Sequence, residues 1–203
     1  NNFKIIEELS VTINSKFKNS RPFETDAMMA HNIPVKDIIN QKLSNGELVD
    51  EWEKAFKKLS DKGTIFCGYN SFNYDNILLN NSLFINLKFP YITSRLQFDL
   101  LPAIRAASVF AIDPKTGERA LNYDYNEKGN LSFKLQTMLQ ANQITTKKAH
   151  DSYEDTRATF NLCKRLREKA PEVFNAALAL RRKSDVLPKI KQEEIFCWHE
   201  AYF

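Results

Sequence analysis

The pattern of apolar and polar positions predicts a chain in which short strands and amphipathic helices follow one another. Residues 3–13 mix β-branched and charged positions, and residues 63–69 form a short apolar run between glycines, so both are predicted strands. Residues 194–199 are a third candidate strand. Helical spacing of apolar residues predicts helices over 35–43, 48–60, 74–84, 99–110, 132–141 (capped by Ser132), 155–169 and 171–183. The polar stretch 113–130 is typical of a hairpin or excursion loop. This alternation predicts an α/β fold with a mixed sheet.

Composition and charge narrow the class of protein. The 203 residues are 43% hydrophobic, which suffices for one domain with a well-filled core. No apolar run approaches the length of a membrane span, so no membrane partner is expected. The net charge of +4 permits a polyanionic partner. Cys67, Cys163 and Cys197 lack metal-ligand spacing, so we predict buried, reduced thiols in a cytoplasmic protein.

The most informative segment begins at His150. The residues that follow it, Asp151-Ser152-Tyr153-Glu154, fit a capping box in which Asp151 is the N-cap. His150 and Asp155 then occupy the N′ and N4 positions, whose side chains meet at a helix start. A histidine beside a carboxylate near a cation suits general-base chemistry. The alternative is that Asp155 only favours the helix dipole and that His150 is a surface residue.

A second acidic position follows the predicted strand 63–69. Asp75 begins a predicted helix after that strand, at the edge of an α/β sheet where ligands gather. The equally favoured alternative is that Asp75 is a helix N-cap. Asp99 follows another apolar segment in the same way, and for Asp99 the cap is the preferred interpretation.

Four blocks in a fixed order carry a resemblance to a known family. They are Gly68-Tyr69-Asn70 with Tyr74-Asp75, Asp99-Leu100-Leu101 with Arg105-Ala106, residues 131–135 with Ala141-Asn142, and residues 149–155 with Ala158-Thr159. Through them the sequence resembles the DnaQ-like, DEDDh-class 3′→5′ exonucleases, and within these the bacterial exodeoxyribonuclease I family. The resemblance implies a ribonuclease H-like fold with a mixed central sheet flanked by helices.

The resemblance also implies a site and its ligands. Two Mg²⁺ or Mn²⁺ ions would be held by acidic residues, with Asp155 a direct ligand of one ion and Asp75 helping to hold the second. His150 would be the general base. Asn70 is expected to contact the substrate or to orient Asp75, and His31 is expected at the 3′ end of the substrate or, equally, as a loop histidine. The implied partners are single-stranded DNA and, in addition, single-strand DNA-binding protein.

Other substrate contacts are less specific. A basic groove with aromatic stacking usually holds single-stranded nucleic acid. Candidate cations are Arg95, Lys147, Lys148, Arg157 and the run Arg181-Arg182-Lys183, each equally explained as solvated surface charge. Phe72 and Phe133 are predicted to be core residues rather than stacking platforms.

One family motif is missing. The family carries Asp-x-Glu on its first central strand, and no aspartate of this sequence is followed two residues later by glutamate. We expect that the chain begins inside the domain, so that 1–190 is an N-terminally incomplete exonuclease domain and 191–203 a linker and the start of an SH3-like second domain. The competing interpretation is a pseudo-nuclease that has dropped its first strand.

The predicted function follows from these points. The intact protein is expected to hydrolyse single-stranded DNA from the 3′ end by a two-metal mechanism, whereas the 203 residues alone are expected to be inactive. The alternatives are a non-catalytic nucleic-acid-binding module and an exonuclease of the same superfamily that acts on RNA or oligonucleotides.

Overall fold

A computed structural model describes residues 3–5, 7–10, 29, 34, 36, 40, 43–59, 64–93, 97–147 and 151–192. Within these ranges helices and strands alternate from Asn45 to Phe110, as the α/β prediction requires, and only helices follow to Lys191. The elements in chain order are α1 (Asn45–Leu59), β1 (Phe66–Gly68), α2 (Asp75–Ile85), β2 (Gln97–Asp99), α3 (Leu100–Phe110), α4 (Leu135–Ala141), α5 (Ser152–Lys169), α6 (Pro171–Ala179) and α7 (Lys183–Lys191). In the described part of the chain, no helix combines the length and the apolar character that a membrane span needs.

Strands β1 and β2 pair in parallel, with α2 in the crossover between them. Their register places Gly68 opposite Asp99, so both strands end at the same edge of the sheet. The chain leaves β1 through a turn that leads into α2, and it passes from β2 directly into α3. Antiparallel pairing within the described residues is confined to the isolated bridges Ile112↔Arg119 and Tyr125↔Leu131, which confirm the predicted hairpin-like excursion.

The hydrophobic core lies where α3, α5 and α6 pack together and α4 packs on α5. Its fully buried side chains include Leu100, Ile104, Met138, Leu162 and Leu166. Burying a leucine or methionine side chain contributes about 1.5–3 kcal/mol. The buried residues of α5 are three or four positions apart, so they lie on one face of the helix, and this face packs against the core. The core therefore fixes the starts of α3 and α5 relative to each other.

A capping box begins α1, three residues before the predicted helix start. The Ser44 amide donates to Glu47 Oε2 at 2.7 Å, and the Glu47 amide donates to Ser44 Oγ at 3.2 Å. The Ser44 hydroxyl also donates to Glu47 Oε2 at 2.8 Å, and the hydrogen bonds from the Ser44 amide and hydroxyl hold the pKa of the Glu47 carboxyl below its ordinary value. The helix then packs on α2 through Leu48 and Val49.

The predicted strand over 3–13 is wrong for its described residues, because 3–5 and 7–10 lie in no strand. The pairs Ile5-Ile6 and Glu7-Glu8 break the alternation that a strand with one buried face requires. Phe3 is instead an anchor: its ring lies 5.5 Å from that of Phe160, with the Arg167 guanidinium 5.2 Å above it.

Two helix boundaries also differ from the prediction. Helix α4 begins at Leu135, and Ser132 does not cap it, because Lys134 occupies the N-cap position and makes no side-chain hydrogen bond there. The predicted helix 171–183 ends at Ala179, and α7 starts separately because Arg182 is extended. The predicted helix 35–43 falls largely, and the strand 194–199 entirely, outside the described residues. The proposed division at residue 190 stays a prediction.

The cysteine prediction holds in part. Cys67 and Cys163 are free thiols, and Cys163 is buried as predicted, whereas Cys67 is exposed. Cys67 is the middle residue of β1, and it is the exposed residue of that strand in the described structure. A hydrogen bond with Cys163 raises the pKa of the Cys67 thiol. Cys197 lies outside the described residues.

Candidate active site

A cleft of about 780 Å³ opens at the carboxyl end of β1. Tyr69 and Asn70 line it from the β1 side, Arg105 from α3, and Asp155 from α5. Asn70 and Asp155 come from two motifs far apart in sequence, and the fold brings them into one cleft. Ligands of α/β proteins bind at this edge of the sheet.

The turn after β1 has an unusual backbone. Asn70 has a φ of 59°, in the left-handed region that asparagine tolerates better than most residues. A Cβ on Gly68 would lie 2.5 Å from Ser71 Cβ, so only glycine permits this close approach. The Gly68-Tyr69-Asn70 block is therefore a geometric requirement of the turn.

Asp99 is the N-cap of α3, as the preferred interpretation predicted, but it does more than cap. Its Oδ1 accepts hydrogen bonds from the amides of Leu101 at 3.0 Å and of Asn70 at 2.8 Å. Its Oδ2 accepts one from the amide of Phe72 at 3.1 Å. Asp99 is only 6% exposed, so this carboxylate joins the start of α3 to the turn after β1.

Asp75 is the first residue of α2, and the alternative that it is the N-cap is wrong. Tyr74 holds the N-cap position without a side-chain hydrogen bond. Desolvation raises the pKa of the Asp75 carboxyl, a hydrogen bond from its own backbone opposes the rise, and the charge of Asp99 adds to it. The residue is exposed overall and is not among those that line the cleft.

Asp155 lies in the first turn of α5, half-buried in the wall of the cleft. Gln136 Nε2 donates to its Oδ1 at 2.9 Å. The predicted N-cap is confirmed, since Asp151 Oδ1 accepts from the amides of Tyr153 at 3.1 Å and Glu154 at 3.2 Å. Glu154 does not turn back to this cap; its carboxylate accepts from the Lys147 amide at 3.1 Å, which ties the preceding loop to α5.

Several predicted residues fall outside the described part of the chain. His150 and His31 are among them, so the roles of base and 3′-end contact stay predictions. Arg95 and Lys148 are outside as well. Among the other candidate cations, Arg157 Nε lies 3.5 Å from Glu8 and Arg182 Nε lies 2.8 Å from Asp185, as surface charges do.

Tyr69, Arg105 and Gln136 are among the cleft residues that sequence reasoning missed. The Arg105 guanidinium lies 5.6 Å from the centroid of the Phe133 ring, and Tyr69 Oη donates to the Phe133 carbonyl at 2.6 Å. Tyr69 and Arg105 lie within the four blocks that carry the family resemblance, and Gln136 directly follows the block 131–135. Membership of these blocks was therefore the sequence feature that could have identified them as site residues.

The two phenylalanines predicted to be core residues behave differently. Phe133 packs against the core, as predicted. Phe72 is 41% exposed, so the prediction for it was wrong. Phe72 belongs to the turn after β1, where its amide donates to the buried Asp99 carboxylate while its side chain remains exposed.

The oxygen atoms of the candidate acidic residues are of the chemical type that a hard divalent cation binds. Asp75 and Asp155 supply carboxylate oxygens, the ligands that Mg²⁺ and Mn²⁺ prefer. Among the residues that the structure describes, no group of three or more histidine, cysteine, aspartate or glutamate side chains is placed to hold a metal. The described residues therefore supply oxygen ligands of the right kind but no complete set of metal ligands.

No protein-family model matches the chain. Among curated proteins, exodeoxyribonuclease I of Buchnera aphidicola subsp. Acyrthosiphon pisum is 29% identical over 157 residues, which cover 74% of this chain and 37% of that protein. Exodeoxyribonuclease I of Buchnera aphidicola subsp. Schizaphis graminum is 31% identical over 149 residues, which cover 70% of this chain and 30% of that protein. The chain thus spans about a third of the length of these relatives.

Solved structures show the fold. The zinc-bound complex of E. coli ExoI with single-stranded DNA matches with a TM-score of 0.75 and 23% identity, over 92% of this chain and 38% of that chain. E. coli exonuclease I in complex with a dA16 oligonucleotide matches with a TM-score of 0.70 and 24% identity, over 82% and 34%. An ExoI/SSB-Ct complex matches with a TM-score of 0.68 and 22% identity, over 82% and 34%. These matches confirm the predicted ribonuclease H-like, DnaQ-like fold.

Proposed function

Because this chain is related in sequence and fold to the exodeoxyribonuclease I family of DnaQ-like exonucleases, we propose that it belongs to a metal-dependent 3′→5′ exonuclease of single-stranded DNA. The observation that carries the proposal is the meeting of Asn70 and Asp155 in one cleft at the carboxyl end of β1. The relatives are named exodeoxyribonuclease I, and one structural neighbour is in complex with a dA16 oligonucleotide.

Asp155 and Gln136 of the cleft, together with Asp75 outside its lining, take distinct roles in this proposal. Asp155 holds one divalent ion and Asp75 helps to hold a second. Gln136 orients Asp155 by a hydrogen bond to one carboxylate oxygen and leaves the charge in place. When bound, two Mg²⁺ or Mn²⁺ ions supply Lewis-acid stabilisation of the charge that develops on a phosphodiester.

Substrate contacts and proton transfer fall to neighbouring residues. Asn70 contacts the backbone of the DNA strand, and His31 contacts its 3′ end. Arg105 places a positive charge in the cleft wall, where it attracts phosphate groups. His150 accepts the proton of the attacking water.

Catalysis needs carboxylates beyond these. The family pattern includes an Asp-x-Glu pair, and this sequence contains none. We therefore propose that the 203 residues alone bind divalent metal weakly and hydrolyse DNA negligibly. Robust processive digestion by the purified 203-residue chain would contradict this part of the proposal.

The decisive test starts from the complete reading frame that encodes this chain. Its product is incubated with 3′-labelled and 5′-labelled single-stranded DNA in Mg²⁺ or Mn²⁺, with EDTA and the His150→Ala variant as controls. We expect mononucleotide release from the 3′ end that EDTA abolishes and that His150→Ala slows without a loss of DNA binding. Absence of an Asp-x-Glu pair from the reading frame, or no hydrolysis in either metal, would sink the proposal.

A non-catalytic binding module is the second candidate, and the missing Asp-x-Glu pair favours it. It predicts binding of labelled single-stranded DNA without hydrolysis, even for the complete protein. Tight binding of two metal ions in a titration of that protein argues against it. Matched DNA and RNA strands in the same assay decide the sugar preference.

Single-strand DNA-binding protein is a further proposed partner, and the bacterial cytoplasm the proposed location. Support for the partner comes from the structural neighbour bound to SSB-Ct and from a groove of about 680 Å³ between α3, α6 and α7. Its lining is largely apolar, and Arg181, Arg182 and Lys183 border it. An SSB C-terminal peptide should bind this chain with an affinity that falls as the salt concentration rises. If Arg181→Glu leaves the affinity unchanged, the peptide does not bind in this groove.

A further inference from the structure

A single buried carboxylate connects two segments that lead to the cleft. Asp99 accepts hydrogen bonds from the amides of Asn70, Phe72 and Leu101. Leu101 belongs to α3, whereas Asn70 and Phe72 belong to the turn after β1. Asp99 can contact the turn after β1 because Gly68, the last residue of β1, lies directly opposite Asp99 in the pairing of β1 with β2.

The turn after β1 needs an anchor from outside itself. Asn70 is left-handed, a conformation that is unfavourable for a residue other than glycine. Within the turn, Asn73 Nδ2 donates to the Asn70 side chain at Oδ1 at 3.0 Å, but the backbone bond from the Asn73 amide to the Asn70 carbonyl is long, at 3.3 Å. Hydrogen bonds from amides to a buried carboxylate are shorter and stronger than neutral ones. Asp99 therefore accepts the shorter of the two hydrogen bonds described for the Asn70 backbone.

We propose that Asp99 is a positioning residue for the candidate site. Its carboxylate sets the backbone of residues 70–72, and through it the place of the Asn70 side chain in the cleft and the direction in which the chain enters α2. Asp99 itself is not proposed to touch substrate. The effect on DNA binding rests on the proposed function, whereas the effect on the backbone does not.

Two substitutions separate this role from helix capping. In Asp99→Ser the side chain still caps α3, because a serine oxygen reaches the amide two or three residues on, but it is too short to reach Asn70 and Phe72. In Asp99→Asn the length is kept, but an NH₂ group replaces one acceptor oxygen and faces an amide donor. The matched control is Asp113→Ser, which removes a carboxylate that accepts from Lys115 and Thr116 in an exposed turn.

The first experiment measures amide hydrogen exchange on the 203-residue chain. We expect Asp99→Ser to raise exchange at Asn70 and Phe72 by about tenfold or more while Leu101 stays protected. Asp113→Ser should leave all three amides unchanged. If the serine variant does not fold, Asp99→Asn should raise exchange at Phe72 or Asn70. Unchanged exchange at both amides in a folded Asp99 variant overturns the proposal.

The second experiment measures the Kd of the chain for a fluorescent dT oligonucleotide in a double-mutant cycle. A positioning role predicts that Asp99→Ser and Asn70→Ala each weaken binding and that the double variant is no weaker than the worse single variant. A purely structural defect reduces the active fraction and leaves Kd unchanged. Additive effects, or an unchanged Kd in Asp99→Ser, contradict the positioning role. If the wild-type chain does not bind DNA, the proposed function loses support while the exchange experiment still decides the role of Asp99.

Discussion

The two sides of the cleft are both organised by an aspartate at a helix N-terminus, and the two aspartates act over different distances. Asp151 accepts only from amides in the first turn of its own helix, α5. Asp99 caps α3 and also holds the turn after β1. The α5 side is therefore built by local interactions, and the β1 side depends on the pairing of β1 with β2. A capping pattern in the sequence therefore predicted the whole role of Asp151, but it predicted only the capping part of the role of Asp99.

The largest expected effect is the loss of Asp155. In a catalytically active form of the protein, Asp155→Ala should lower turnover at least about 10²-fold, because it removes the carboxylate that we propose as a metal ligand. Gln136→Leu should cost about 10–100-fold, because it removes only the hydrogen bond that orients Asp155. Steady-state rates on single-stranded DNA, with circular dichroism to confirm folding, test both. A Gln136 variant as active as wild type would show that the amide does not orient the site.

The second prediction compares the two caps directly. Asp99→Ala should lower the free energy of unfolding by about 2–4 kcal/mol, because it removes a cap and leaves the amides of Asn70 and Phe72 poorly paired. Asp151→Ala should cost only about 1 kcal/mol, as an ordinary N-cap does. Urea unfolding of both variants measures the difference. Equal losses would mean that the contacts to the turn after β1 contribute nothing to stability.

The third prediction concerns the close approach at the end of β1. Gly68→Ala should destabilise the chain by about 1–3 kcal/mol, since its Cβ would lie 2.5 Å from that of Ser71. Ser71→Gly removes the opposing carbon, so the double variant should recover part of the loss. Urea midpoints report both changes. Without recovery in the double variant, the clash is not the cause.

The smallest effect concerns Asp75 and pH. Folding raises the pKa of this carboxyl, so the folded chain binds its proton more tightly than the unfolded chain does. The contribution to stability is present below the unfolded pKa and is lost as pH rises through the folded pKa. Asp75→Asn should therefore raise the Tm slightly at pH 7 and flatten its decline as pH rises above the ordinary aspartate pKa of about 4. A lower Tm at pH 7 would show that the charge stabilises the fold.

Sequence predictions were accurate where an element depends on interactions between residues close in sequence, and poor where it depends on a distant partner. Helices 99–110 and 48–60 were placed within a few residues, because apolar spacing and nearby caps determine a helix locally. The strand over 3–13 was wrong in its described residues, because a strand needs a partner that periodicity does not reveal. The capping box expected at Asp151 and Glu154 forms only in part, since Glu154 binds the Lys147 amide, whereas a complete box at Ser44 and Glu47 was missed.

The sequence alone determined the α/β class, the N-cap roles of Asp99 and Asp151, and the choice of Asn70, Asp75 and Asp155 as candidate residues. These follow from periodicity, from side chains that bond within three positions, and from blocks in a recognisable order. Only the tertiary structure decided that Asn70 and Asp155 share a cleft, that Gln136 and Arg105 join them, and that Asp99 holds the turn after β1. The physical reason is that these contacts join segments far apart in the chain, and the pairing of β1 with β2 and the packing of α3 against α5 bring them within bonding distance.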